Sequence, residues 1–164
     1  MPYRYRVPGA LRVKMDSISL PIAANSKRVW SFVIDDIVIN LFLMIIFSSQ
    51  LTALMSGITE VNQESVVLVN QFIMDNIVIV LAIKVLYHGV LIWQSGMTVG
   101  KYVMKIKAVD MVSGETPTLV QALWRASVRL ISEMIFYIGF LFAFFSPLHQ
   151  TLHDKLSNIV VIDA

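Results

Sequence analysis

No cysteine occurs among the 164 residues, which removes disulfides, thiolate chemistry and cysteine metal sites and leaves the redox compartment unmarked. Charge is scarce as well. Only 15% of the residues are Asp, Glu, Lys or Arg, against about 25% in a soluble domain. With 57% hydrophobic residues gathered in blocks and a mean hydropathy of +0.72, this composition excludes an ordinary soluble fold and predicts an integral membrane protein. The basic pI of about 9.0 does not indicate a nucleic-acid partner, because the formal net charge is only +2 and the basic residues cluster beside the apolar blocks, where they report topology. The N-terminus lacks a short apolar core followed by a small-residue cleavage site, so no signal peptide is expected and the first span serves as the insertion signal. Catalytic signatures are missing too: there is no Gly-x-Ser-x-Gly elbow, no HExxH and no serine beside a base, and the expectation is that the protein is not an enzyme. Gly96 to Lys101, GMTVGK, fails as a phosphate loop, having three residues between its glycines and Tyr102 after the lysine; it predicts a tight turn with a lysine at the lipid headgroups.

What is present is three apolar blocks in a single membrane domain over 1–164. A basic N-terminal segment, 1–28, precedes a first span over 29–50, long enough to cross a hydrocarbon core of roughly 30 Å. A loop over 51–71 separates it from a second span over 72–93, which is interrupted by Asp75, Lys84 and His88. The third block, 130–148, carries Glu133 near its start, Gly139 at its centre and Pro147 at its end, and is either a crossing helix or a re-entrant hairpin bent at Gly139. A tail over 149–164 follows.

Lys and Arg outside the blocks orient the chain. Arg4, Arg6, Arg12, Lys14, Lys27 and Arg28 lie before the first span and the 51–71 loop has neither residue type, so the N-terminus is placed in the cytoplasm and the loop outside. Within the cytoplasmic segment 95–129, Met104 to Asp110 alternates in the period of a strand and Ser113-Gly114-Glu115 supplies a turn. Thr118 then caps a helix from Leu119, read as interfacial, with Arg125 and Arg129 at phosphate level. The tail sequence Asn158 to Ile162 is also strand-like. It can pair with the first strand only if both lie on one side, which would favour the re-entrant alternative. The fold class expected is thus all-α and membrane-integral: a two-helix hairpin, a third transmembrane or re-entrant segment, and a short cytoplasmic strand-turn with an interfacial helix.

Asp35 and Asp36 stand inside the first span, where each carboxylate costs roughly 2.5–3.5 kcal/mol on insertion scales and is retained only if compensated. They lie roughly 9–10 Å deep, comparable to Lys84 and His88 in the returning span, and Glu133 lies about one turn into the third block. The expectation is a polar layer of Asp35, Asp36, Asn40, Lys84, His88 and Glu133, with Arg28, Arg125 and Arg129 at the membrane edge. Adjacent residues on a helix point about 100° apart, so the two aspartates face different partners. A carboxylate of such a layer suits an ion or proton path, and the same pattern equally suits a structural ion-pair network that fixes helix packing. His149, His153 and Asp154 have a spacing compatible with a metal site, although no further Cys or His ligand stands nearby and a helix-end role accounts for them; no cofactor is expected.

Arg28 followed by Asp35-Asp36 at the start of a first span resembles the arginine and double aspartate of the RDD family of small multi-pass bacterial membrane proteins. The resemblance extends to Gly96, Thr98, Gly100 and Lys101, to KIKAVD with its SGE turn, to Arg125, and to His153-Asp154-Lys155 before an apolar strand. Asn158-Ile159 departs from it, standing where a Gly-Thr-like pair is expected. The resemblance implies a bacterial inner-membrane protein with a transport role and no established substrate. Two functions follow as expectations: a small transporter, homo-oligomeric because few spans enclose little, that exchanges protons for a monovalent cation; or a non-transporting assembly or accessory protein whose polar layer serves helix packing and partner binding.

Overall fold

The computed structural model describes residues 22–58, 60–135 and 150–164. Two helices in it are long and apolar enough to cross a membrane, α1 (Asn25–Ile46) and the 33-residue helix that follows it after a short intervening helix. α1 is rich in Val and Ile, poor helix formers in water; in hydrocarbon, where no solvent satisfies a backbone amide, the helix is the one local structure that satisfies them all. It breaks for a single residue at Phe47 and resumes as α2 (Ser48–Gly57), so most of the 51–71 segment expected as a loop is helical. α3 (Gln63–Ser95) also begins earlier than Phe72, on a reciprocal cap in which Asn62 accepts from the Ser65 amide and Ser65 from the Asn62 amide. At 1.5 Å per residue α3 is about 50 Å long and outreaches the hydrocarbon core. It stops at Gly96, whose φ of +72° is the left-handed conformation that a helix-ending glycine adopts at little cost.

A short helix, α4 (Val99–Val103), starts one turn later on the Thr98 side chain and leads into β1 (Ile106–Asp110). Thr118 caps α5 (Leu119–Met134), as the sequence predicts, and Gln121 completes the box. α6 (Leu152–Leu156) and β2 (Ile159–Asp163) close the described chain. β2 pairs antiparallel with β1 in the register Ile106↔Asp163 to Asp110↔Ile159, so the strand-turn gains a second strand from the tail. Both outer edges of this ribbon are occupied. Ile22 and Ala23 add to β2, and the Ala108 amide donates to the Gly96 carbonyl at 2.8 Å.

The main buried apolar cluster gathers around this ribbon: Ala23, Ile92, Ile106, Ala108, Ala122, Ile159 and Val161. Along the two long helices the order is reversed. α1 buries Ser31, Asp35 and Ile39 at four-residue spacing and turns Ile45 (72% exposed) outward, while α3 turns out Met74 and Val78. Such a surface is stable against lipid, not water.

α5 corrects the expectation that its arginines lie at phosphate level. It runs antiparallel along α3, with Glu133 beside Lys84, Arg129 beside His88, and Leu123 against Gly89. Its arginines face inward, 3% and 4% exposed, whereas Val120, Trp124, Ile131 and Met134 form the outer stripe. The physical reason is that the inner groups offer Asp154 and Glu133 as partners, so the guanidiniums gain more there than at phosphates. Residues 136–149, which contain most of the third block and His149, lie outside the described residues.

Candidate functional site

The polar residues form a connected set between α1, α3, α4, α5 and α6, in three clusters. At the end nearest the ribbon, Asp154 of α6 accepts from Arg125 Nε at 2.7 Å and lies 2.6 Å from Arg125 Nη2 through the same oxygen. Its other oxygen accepts from Arg28 Nη1 at 3.3 Å. Burial alone would raise the Asp154 carboxyl, but Arg125 in contact, with His153, Arg28 and Lys101 nearby, holds it well below the usual carboxylate range. Arg28 also donates to the carbonyls of Val161 (2.8 Å) and Ala23 (3.3 Å), which ties the start of α1 to the ribbon. The turn of the helix that bears Arg28 thus faces the tail.

Asp35, fully buried, is the second cluster. Oδ1 accepts from the Tyr87 hydroxyl at 2.9 Å and the Gly100 amide at 2.8 Å, and Oδ2 from the Thr98 hydroxyl at 2.5 Å. Neutral donors from α3, from the turn before α4 and from α4 itself thus satisfy this carboxylate, and Lys84 stands beside the other aspartate, Asp36. The close approach depends on Gly100, where a Cβ would collide with the Ser31 carbonyl oxygen and come 2.9 Å from Asp35 Cγ. Lys101 follows at once and is buried, 6% exposed, a correction to its expected place at the headgroups: α4 folds back onto α1 and turns this side chain inward.

The third cluster runs outward. Arg129 approaches His88 Nδ1 at 3.3 Å, donates to Glu133 Oε1 at 3.0 Å and lies over the Phe32 ring at 5.0 Å. Glu133 Oε2 accepts from Lys84 Nζ at 3.1 Å, and Lys84 Nζ stands 3.8 Å from Asp36 Oδ1. Asn40 donates to Asp36 Oδ2 at 3.1 Å. Asp36, Asn40, Lys84, His88, Arg129 and Glu133 are thus brought together, and Asp35 is set apart from them by one residue of helix. Lys84, Glu133 and Asn76 also line a cavity of about 430 Å³ whose other walls include Phe47, Phe72 and Met134.

Among the described residues no three His, Asp or Glu side chains converge as a metal site. His153 is buried and its imidazole is pushed well below its ordinary value by burial, with Arg125, Arg129 and Lys101 adding to that against the opposing pull of Asp154. Asp154 is committed to two arginines. His149 lies outside the described residues. Tyr87 and Lys101 are the members that hydropathy and depth did not single out for the layer; the signal for Thr98, Gly100 and Lys101 was their recurrence in the family pattern.

The RDD family profile matches residues 22–158, from the start of the edge pairing at Ile22 to the turn before β2. The chain belongs to the RDD family. All three clusters of this RDD protein fall inside the matched span. It is similar to an uncharacterized protein of Rickettsia prowazekii (strain Madrid E), 32% identical over 96 residues, covering 57% of this chain and 53% of the relative. It is also similar to proline-rich antigen homologs of two Mycobacterium tuberculosis strains, CDC 1551 / Oshkosh and ATCC 25618 / H37Rv, each 31% identical over 67 residues, 41% of this chain and 28% of the relative. The RDD chain thus spans about half the length of the first relative and less of the others. No solved structure matches it. Family membership and the outward-facing apolar helices together make it a membrane protein.

Proposed function

We propose that this protein is a small transporter of the bacterial inner membrane that exchanges a monovalent cation for a proton at Asp36, Lys84 and Glu133. The observation that carries the reading is the position of Lys84, one ammonium shared by two carboxylates from different helices at the edge of a cavity. With Arg129 included, the group holds two positive and two negative charges. Adding a cation leaves an uncompensated charge at low dielectric, which is costly, so uptake favours loss of a proton from the same network. Glu133 is mostly buried, whereas Asp36 is more exposed and gives a cation its first contact.

In this reading the N-terminus is cytoplasmic, in line with the positive-inside asymmetry, and the tail shares that side because β2 pairs with β1. That pairing favours the re-entrant alternative for the third segment. A homo-oligomer belongs to this reading because the two long apolar helices of a single chain enclose little. The protein acts without catalysing a chemical reaction.

Flux in proteoliposomes tests this. Wild-type protein is expected to exchange Na⁺, K⁺ or Li⁺ against a pH gradient, and Asp36→Asn and Glu133→Gln to lower that flux at least about tenfold, equivalent to about 1.4 kcal/mol, with unchanged oligomeric state. No wild-type flux across the cation panel would sink the transport reading in favour of an assembly role.

A further inference from the structure

Lys101 stands out because its charge lacks a committed partner. No ion pair or side-chain hydrogen bond links its ammonium to any of the described residues, although the residue is 6% exposed. Both nearby carboxylates are engaged elsewhere. Asp35 of α1 accepts from Tyr87, Thr98 and Gly100, and Asp154 of α6 is held by Arg125 and Arg28. The other groups facing Lys101 are basic: Arg125 and Arg129 from α5, His88 from α3 and His153 from α6. β1, packed at the end of α4, sends Lys107 against Gly96 instead. An isolated ammonium among arginines in a desolvated pocket is strongly opposed, and the neutral amine is the form that this surrounding favours.

We propose that Lys101, buried without an ion-pair partner among the described residues, is the proton-exchanging group of the buried network. Burial is the main force against its charge, Arg125 the next; Asp35 works in the other direction, and the balance brings the amine down to about 7. For its physiological consequence the inference rests on the transport reading. Arg129 connects the two sites, since it pairs with Glu133 and also opposes the charge on Lys101. A cation that neutralises Glu133 weakens its pull on Arg129, the opposition of Arg129 to the Lys101 charge then grows, and Lys101 gives up its proton.

The test uses the full chain in lipid nanodiscs, with lysine labelled by ¹³C at Cε, titrated over a range of about pH 5 to 10.5. Of the seven lysines, one resonance is expected to shift with a midpoint near 7 and to vanish in Lys101→Met. All seven midpoints above about 9, or a near-neutral resonance that survives the substitution, would overturn the assignment. Should Lys101→Met not fold, the wild-type melting temperature decides. The folded amine sheds its proton first, so the unfolded chain binds more protons between pH 7 and about 10.4, and stability must rise with pH across that window. In Lys101→Arg, whose charge is fixed, the rise is expected to be absent; a rise equal to wild type would count against Lys101. The flux assay separates the two readings. A midpoint near 7 without flux upholds Lys101 and sinks transport, whereas flux with every lysine above about 9 does the reverse.

Discussion

Asp35, Asp36 and Asp154 show how differently one side chain is kept inside this protein. Asp35 is satisfied by neutral hydrogen-bond donors, Asp36 by an amide and a shared lysine, and Asp154 by two guanidiniums. Removal therefore has different consequences. Asp154→Asn takes the counter-charge from buried Arg125 and one partner from Arg28, and breaking a buried pair on one side costs about 3–5 kcal/mol. Thermal melting in detergent should show that loss, with Asp36→Asn far milder because Asp36 is more exposed. The sign of the pH effect follows from the lowered Asp154 carboxyl. Its contribution is complete above the unfolded value of about 4 and is lost as pH falls below that, so the gap between wild type and Asp154→Asn should narrow in acid. A gap that stays constant down to strongly acidic pH would contradict the ion-pair account.

At the scale of elements, α5 shows what pattern reading reaches and where it stops. The period and the Thr118 cap were legible because both are local. Which face looks inward was not, since an amphipathic helix at a membrane can put its polar side toward water or toward a buried network, and only the partners Asp154 and Glu133 decide between them. The Asp35 cradle was hidden for a related reason: Tyr87, Thr98 and Gly100 carry no charge, and depth matching searched for cations. Asn158 is a case where the departure from the family pattern is absorbed locally. Its φ is +53°, a left-handed turn that suits glycine and that asparagine tolerates better than most residues. The fit of α4 against α1 yields a sharp expectation. Gly100→Ala pushes a methyl into the Ser31 carbonyl and the Asp35 carboxylate, at a cost of about 1–3 kcal/mol, which lowers the melting temperature by about 2–4 °C per kcal/mol. Gly57→Ala, where a Cβ would meet nothing within 4 Å, is the control and should melt like wild type. Equal melting of the two variants would mean that α4 does not press on α1 as described.

Over the whole molecule, sequence blocks identified the apolar helices but not how the distant polar segments join. Hydropathy measures each stretch alone, whereas joining depends on pairs such as Arg28 with Asp154 and Lys27 with Asp163, 126 and 136 residues apart. Those ties, the β1–β2 register and the Ala23 amide bond to Val161 bind the start of α1, the segment after α3 and the tail into one unit. A membrane cannot pass through such a unit. Whichever side holds β1 also holds Ala164, whose amide donates to the Lys105 carbonyl at 3.0 Å. Charge counting could not place the tail, because Lys155 is its only Lys or Arg. The absence of native cysteine makes the assignment directly measurable with a single Ala164→Cys substitution and a membrane-impermeant maleimide. If the segment after α3 is cytoplasmic, as its lysines and arginines argue, inside-out vesicles should label and intact spheroplasts should not. A Lys107→Cys variant must give the same side as Ala164→Cys. Opposite sides for these two positions would break the β1–β2 pairing itself, while the same side facing outward would keep the pairing and reverse the orientation.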